Sequence, residues 1–252
     1  MRQLALQLSA AAGVDVYVPD IIGGGDALAP EFDRELLGPW FGRHGDEQTM
    51  PLVARALAAL RAAGKVRLMT LGFCWGARYA LLAACGAEPL ADAFGVAHPT
   101  KTAPQDYVGA SVPGLFLLAE TDGMFPAPAV EQTKALLEGK GHFVFKGPWA
   151  GTSHGFVVRG DDSVPEVQKA REEARAAAAT FYKELAAAWA EADASGHGHS
   201  HGGAACGGHS HGGGHSHAAP AAPAASGGGH SHGGKECGGH SHAGGGGGCA
   251  VA

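Results

Sequence analysis

The sequence predicts an α/β fold with a mostly parallel sheet, and three observations carry that expectation. Strand-like apolar runs alternate with helical segments over residues 1–194, the pattern of a parallel sheet covered by helices. At the centre, Lys65-Val66-Arg67-Leu68-Met69-Thr70-Leu71 reads as a buried strand and Ala77-Arg78-Tyr79-Ala80-Leu81-Leu82-Ala83-Ala84 as a helix. Gly72-Phe73-Cys74-Trp75-Gly76 joins them, and its two glycines permit a sharp turn with close packing of helix start on strand. From about Ser195 onward the chain is almost entirely Gly, His, Ala and Ser, so the folded domain is expected to end there.

The remaining elements follow in order. Residues 1–12 read as a helix, Val14–Val18 as a strand and Asp20–Pro30 as a Gly-rich loop. Glu31–Met50 is irregular or partly helical, and Pro51–Ala63 reads as a helix. After the central turn, Ala93–Val96 is a short strand leading to Ala97-His98-Pro99, and Gly114–Ala119 a second leading to Glu120-Thr121-Asp122. A helix over Ala127–Glu138 and a strand at His142–Phe145 come next, then a loop carrying Thr152-Ser153-His154-Gly155-Phe156. Pro165 opens a helix to about Ala192, and its Phe181, Leu185 and Trp189 recur every four residues, which directs them at the sheet. The chain opens inside a helix with no strand before it, and the domain is expected to be truncated at its N-terminus.

Composition excludes several classes. The formal charge of −6 lies wholly in the first segment, because Lys235 and Glu236 cancel in the second. There is no basic stripe for nucleic acid and no apolar run of the roughly 18 residues that a membrane span needs. Met1–Leu8 is too short in its apolar part for a signal peptide. Cys74 and Cys85 are the domain's cysteines and offer no disulfide framework. A reducing, cytoplasmic setting and a monomer are expected, and that setting suits a reactive thiol.

Gly72–Gly76 has the G-x-nucleophile-x-G form of a nucleophile elbow, with cysteine as the nucleophile. A helix N-terminus beside the thiol favours its thiolate, since free backbone N–H groups present partial positive charge there. Downstream, Asp122 is the carboxylate at the end of a strand and His154 the histidine in a loop after one. Nucleophile, acid, histidine is the order found in α/β-hydrolases. Histidine takes the thiol proton and returns it to the leaving group, the carboxylate orients the imidazole, and the Trp75 backbone N–H is one oxyanion donor. Glu120 is the rival acid. His98 stands near the site with a loop role equally open, Arg78 reads as a packing or ion-pair residue, and His44 and His142 carry no signal.

The chain resembles the dienelactone hydrolase family in Val18-Pro19-Asp20, Gly72-Phe73-Cys74-Trp75-Gly76, Ala97-His98-Pro99, Ala119-Glu120-Thr121-Asp122 with Pro126 beyond, and His154-Gly155-Phe156. These pieces run in the family's order over about Leu4 to Leu185. The resemblance implies an α/β-hydrolase fold and a Cys74–Asp122–His154 triad that opens a lactone or ester through an acyl-enzyme, with no cofactor. It also implies that Arg159 grips a substrate carboxylate. The family's N-terminal strand, with its second oxyanion donor, has no counterpart after Met1, and Ala77 stands where a glycine is common.

Residues 195–252 hold eleven of the fifteen histidines and almost no large apolar side chains, and are expected to be a disordered tail. Five His-Ser-His units recur there, two within Cys206-Gly-Gly-His209-Ser-His211 and Cys237-Gly-Gly-His240-Ser-His242. Imidazole and thiolate together suit Zn²⁺, Ni²⁺ or copper. The primary expectation is therefore a hydrolase acting on a small ester or lactone. The alternative is a metal-buffering protein whose hydrolase-like domain is inactive.

Overall fold

The computed structural model describes residues 1–22 and 34–195, together with the backbone of Gly248–Val251. Its elements in chain order are α1 (Arg2–Ala12), β1 (Asp15–Tyr17), α2 (Leu37–Arg43), α3 (Asp46–Ala62), β2 (Leu68–Phe73), α4 (Trp75–Leu82), β3 (Ala93–Ala97), β4 (Gly114–Thr121), α5 (Ala127–Leu137), β5 (Phe143–Ser153), α6 (Phe156–Arg159), α7 (Pro165–Ala194) and β6 (Gly248–Val251). The strands form one sheet in the order β1-β6-β2-β3-β4-β5, and every pairing is parallel. The α/β class with a parallel sheet, expected from the alternating pattern, is the observed architecture.

The period-two alternation of the strands sorts their side chains into two cores. Met69, Leu71 and Phe73 of β2, Ala93 and Ala97 of β3 and Leu115 and Leu117 of β4 pack under α1 and α7, against Leu4, Leu8, Ala174, Ala178 and Phe181. Leu185 and Trp189 join this core half-buried, as the four-residue spacing requires. Phe94, Val96, Phe116 and Leu118 point the other way and meet Ala77 and Leu81 of α4 and Val130 and Leu137 of α5. Leu68, Val53, Leu57 and Tyr79 close a third cluster between α3 and α4. The α7 helix is also tied to the sheet by the Tyr182 hydroxyl, which donates to the Thr70 carbonyl at 2.7 Å. A Cβ at Gly95 would stand 2.3 Å from that hydroxyl oxygen, so glycine is what admits the tyrosine.

Several boundaries differ from the sequence expectation, among them β2 (Lys65–Leu71 expected) and α4 (Ala77–Ala84 expected). α3 begins at Asp46 and runs through Pro51; Asp46 and Glu47 in its first turn complement the helix dipole and offset part of the bond that an interior proline forfeits. β5 continues to Ser153, past Gly147, Pro148 and Gly151, because register shifts between Leu117 and Thr121 let β4 follow these breakers. The expectation of a tail without order lies outside the described residues except at Gly248–Val251, whose backbone pairs with β1 on one side and β2 on the other.

The close approach of α4 to β2 is what sets the elbow. A Cβ built on Gly72 would lie 2.3 Å from the Gly76 carbonyl oxygen and 2.5 Å from the Ala77 Cα. These are backbone atoms and cannot swing aside. We expect Gly72→Ala to cost roughly 3 kcal/mol or more, with thermal unfolding of the purified variant as the measurement, whereas Gly13→Ala, with nothing within 4 Å but a positive φ, is expected to cost less.

Candidate active site

Cys74 stands between the last residue of β2 and the first of α4 with φ 53° and ψ −119°. A non-glycine residue in this region is strained by about 1–3 kcal/mol and persists only where its surroundings over-determine it. Besides the Ala77 N–H of α4, which donates to the Cys74 carbonyl at 3.2 Å, two backbone hydrogen bonds from beyond the helix do so here. The Cys74 N–H donates to the Ala97 carbonyl at 3.1 Å, and the Thr100 N–H donates to the Cys74 carbonyl at 3.0 Å. The turn after β3 therefore straps the elbow from the neighbouring strand. Its own backbone is unusual, with positive φ at His98 and Lys101.

The structure brings Asp122 and His154 to this point from the two following strands. His154 follows β5 directly, at the turn whose Gly155 adopts φ 92°. Its Nε2 lies 3.1 Å from Cys74 Sγ, and its Nδ1 lies 3.0 Å from both carboxylate oxygens of Asp122. Asp122, just beyond β4, is itself held by the N–H groups of Met124 at 2.8 Å and Phe125 at 3.2 Å, both donating to Oδ1. Glu120, the rival acid, is exposed and accepts the Gly151 N–H at 2.8 Å instead. It helps to hold the β4–β5 junction and does not touch the imidazole.

The electrostatics of the three groups are mutual. Burial pushes the Cys74 thiol up, but hydrogen bonds from His154 and Thr100, the His154 charge and the Trp75 N–H together bring it below its ordinary value. Burial opposes the charge on His154 too, yet hydrogen bonds and charge from Asp122 and Cys74 raise it to about 9. Burial likewise disfavours the Asp122 carboxylate, and His154 with the Met124 and Phe125 N–H groups outweighs it, leaving the acid below its usual range. A lowered thiol beside a raised imidazole means that each shift favours the charged form of its group.

The other sequence candidates find definite places. Trp75 opens α4, and its indole N–H donates to the His44 carbonyl at 3.2 Å, within an aromatic cluster of Trp40, His44, Trp75 and Tyr79. Arg159 ends α6 and folds back over Gly155, where a Cβ would stand 3.2 Å from its guanidinium. Arg78 is an ion-pair residue, donating to Asp46 at 2.7 Å and to the Lys101 carbonyl at 2.8 Å. His142 stacks on Phe181. His98 is fully buried, its ring 5.2 Å from that of His154, and burial drives it down to about 3, so it is neutral. The tail residues Cys206, His209, His211, Cys237, His240 and His242 lie outside the described residues. Thr100 carries no signal in the sequence, yet its Oγ1 is 3.3 Å from Cys74 Sγ and 3.2 Å from His154 Nε2.

An elbow cysteine, a histidine and a carboxylate meet at the C-terminal ends of parallel strands, a geometry that could serve hydrolysis. The chain belongs to the dienelactone hydrolase family, whose model matches residues 2–186. It is 27% identical over 185 residues to hydrolase tropI of Talaromyces stipitatus, covering 68% of this chain and 70% of that protein. With hydrolase pyvD of Aspergillus violaceofuscus the identity is 24% over 183 residues, or 72% and 74% of the two chains. Among solved structures it is similar to a protein of Klebsiella pneumoniae subsp. pneumoniae assigned as a dienelactone hydrolase, with TM-score 0.49, 20% identity and 60% and 67% coverage. This chain is a hydrolase of the ester- and lactone-cleaving kind. Among the described residues no helix is long and apolar enough to cross a membrane.

Because Asp122 contributes both a hydrogen bond and a charge that raise His154, Asp122→Asn is expected to lower the imidazole from about 9 toward the ordinary histidine value. A proton-detected NMR titration of the His154 ring checks this; a ring still titrating near 9 would show that the carboxylate is not what raises it.

Proposed function

We propose that the chain opens a small lactone, or cleaves a small ester, by nucleophilic catalysis with Cys74 as nucleophile, His154 as proton carrier and Asp122 as its orienting acid. The observation that carries this reading is the unbroken contact from carboxylate to imidazole to sulfur, 3.0 Å and 3.1 Å long, in a chain of this family. The reaction uses only groups of the protein and water.

The Cys74 thiolate adds to the substrate carbonyl carbon and forms a C–S bond, while the carbonyl π electrons move to oxygen. The Trp75 backbone N–H, at the positive end of α4, is one donor to that oxyanion. Collapse breaks the C–O bond, and the departing alkoxide takes the Nε2 proton of His154. With a lactone, the new hydroxyl stays attached to the acyl group. Neutral His154 then removes a proton from water, the hydroxide adds to the thioester, and the C–S bond breaks to return the thiolate and release the acid. Arg159, on the helix that follows His154, is suited to hold a substrate carboxylate bidentately. Burial keeps His98 neutral beside His154, so it does not repel the imidazolium on which the first step depends. A reducing cytoplasm suits an enzyme with an unprotected thiolate.

Cys74→Ala is expected to abolish hydrolysis of an activated aryl ester such as p-nitrophenyl acetate, and Asp122→Asn to reduce it by about 10²–10⁴-fold. Undiminished turnover by the alanine variant would overturn the assignment. The acid form of His154 is needed to protonate the leaving group, so kcat/KM for a lactone is expected to fall as pH rises through about 9. A profile flat across that region would remove His154 from the acid's role.

A further inference from the structure

Thr100 is 2% exposed and is fixed by its own backbone, since its N–H donates to the Cys74 carbonyl at 3.0 Å. The turn that carries it cannot drift. His98, two residues earlier, is buried without exposure and wedged between the rings of His154, Phe156 and Phe73 at 5.2, 5.9 and 6.2 Å. Neither ring nitrogen of His98 has a hydrogen-bond partner. An unpaired buried polar group costs about 1–3 kcal/mol, and the positive φ at His98 adds strain. A turn that keeps both costs beside the reactive pair is held for what it presents there, and the hydroxyl it presents is that of Thr100.

The triangle of Thr100 Oγ1, Cys74 Sγ and His154 Nε2 has sides of 3.3, 3.2 and 3.1 Å. A hydroxyl has one proton and two lone pairs. When Nε2 carries a proton it is a donor to both neighbours, so the Thr100 proton has only the sulfur to go to. We propose that Thr100 is a catalytic residue of this site, its hydroxyl accepting from His154 Nε2 and donating to Cys74 Sγ, so that it stabilises the thiolate specifically. The inference deepens the triad reading, on which it rests for the purpose of the thiolate. Hydrogen bonds to a charged group are roughly twice as strong as neutral ones, so the contact favours the ion pair over the neutral thiol and imidazole.

Several other groups face the sulfur. They are His154 from the end of β5 and the Trp75 N–H from the start of α4; behind His154 stand Asp122 from the end of β4 and the neutral His98 from the turn after β3, on which Arg159 of α6 acts. Thr100→Val removes the hydroxyl and none of these, and keeps a branched side chain of similar volume.

The test is the pH dependence of alkylation of Cys74 by iodoacetamide in the full chain. It is read by mass spectrometry on the peptide that contains Cys74, so Cys85 and the tail thiols do not contribute. Circular dichroism checks the fold of each variant. We expect Thr100→Val to move the inflection up by about one pH unit, a roughly tenfold loss of thiolate below it, and Thr100→Ser to keep the wild-type inflection. A folded Thr100→Val protein with the wild-type inflection would overturn the proposal, as would a Thr100→Ser protein shifted as far as the valine variant. If the valine variant does not fold, Thr100→Ala takes its place: a raised inflection supports the proposal and an unmoved one overturns it. No turnover is needed, so an unchanged inflection in a chain that hydrolyses esters through Cys74 sinks this inference alone. A shifted inflection in a chain that cleaves no ester or lactone sinks the proposed function alone.

Discussion

Everything the site does depends on holding one residue, Cys74, in a backbone conformation that it would not choose. At φ 53° the side chain is thrown clear of the strand end, and the helix behind it begins at once. The strain of about 1–3 kcal/mol is of the same size as two net backbone hydrogen bonds, at about 1 kcal/mol each. Besides the bond from the Ala77 N–H of its own helix, those to Ala97 and from Thr100 hold Cys74. Both come from the next strand, so the elbow holds only if β2 and β3 are paired in register, Phe73 opposite Ala97. The absence of a side chain at Gly72 lets α4 lie on β2 closely enough for the turn to close. Sheet register, helix approach and nucleophile geometry are thus one constraint.

The same crossing of strands assembles the charges. Three half-buried or buried titratable groups meet where burial alone would neutralise each of them. For each, the next group offsets that burial and favours the charged form, sulfur to imidazole to carboxylate to the N–H groups of Met124 and Phe125. The chain of compensation ends on backbone donors, which do not titrate. His98 is the exception that fits: it is buried beside this array without a partner, and it is neutral for that reason.

Much of this is legible in the residue order. Cys74 is readable because glycines, a buried strand and a helix flank it, and Asp122 and His154 because each directly follows a strand. The choice of Asp122 over Glu120 is not decided by sequence, since both stand near the same strand end. It is decided by where β5 places Gly151, whose N–H occupies Glu120. Thr100 is invisible in the sequence for a related reason. Its contacts reach 26 residues back to Cys74 and 54 forward to His154, and no local pattern encodes a meeting of three loops. Gly147, Pro148 and Gly151 read as the end of a strand because breakers act locally, while the register shifts that absorb them belong to the pair β4–β5. At Gly248–Val251, four residues after a glycine run are too few to show a strand period. Pairing to β1 and β2 comes from unfilled backbone hydrogen bonds, which composition does not record.

The use of sulfur at the elbow explains why so many donors crowd it. Stabilising a thiolate makes it more abundant and also less nucleophilic, but the two effects are unequal. For a thiol that titrates above the working pH, each unit of lowering gives about tenfold more thiolate and, with a Brønsted slope of roughly 0.4–0.5, only about threefold less reactivity. The gain persists until the thiol titrates near the ambient pH. A buried thiol starts on the wrong side of that balance, because burial raises it. Contacts from His154, Thr100 and the Trp75 N–H are therefore not redundant. They first cancel the burial that raises the thiol, and only the remainder brings it below its ordinary value.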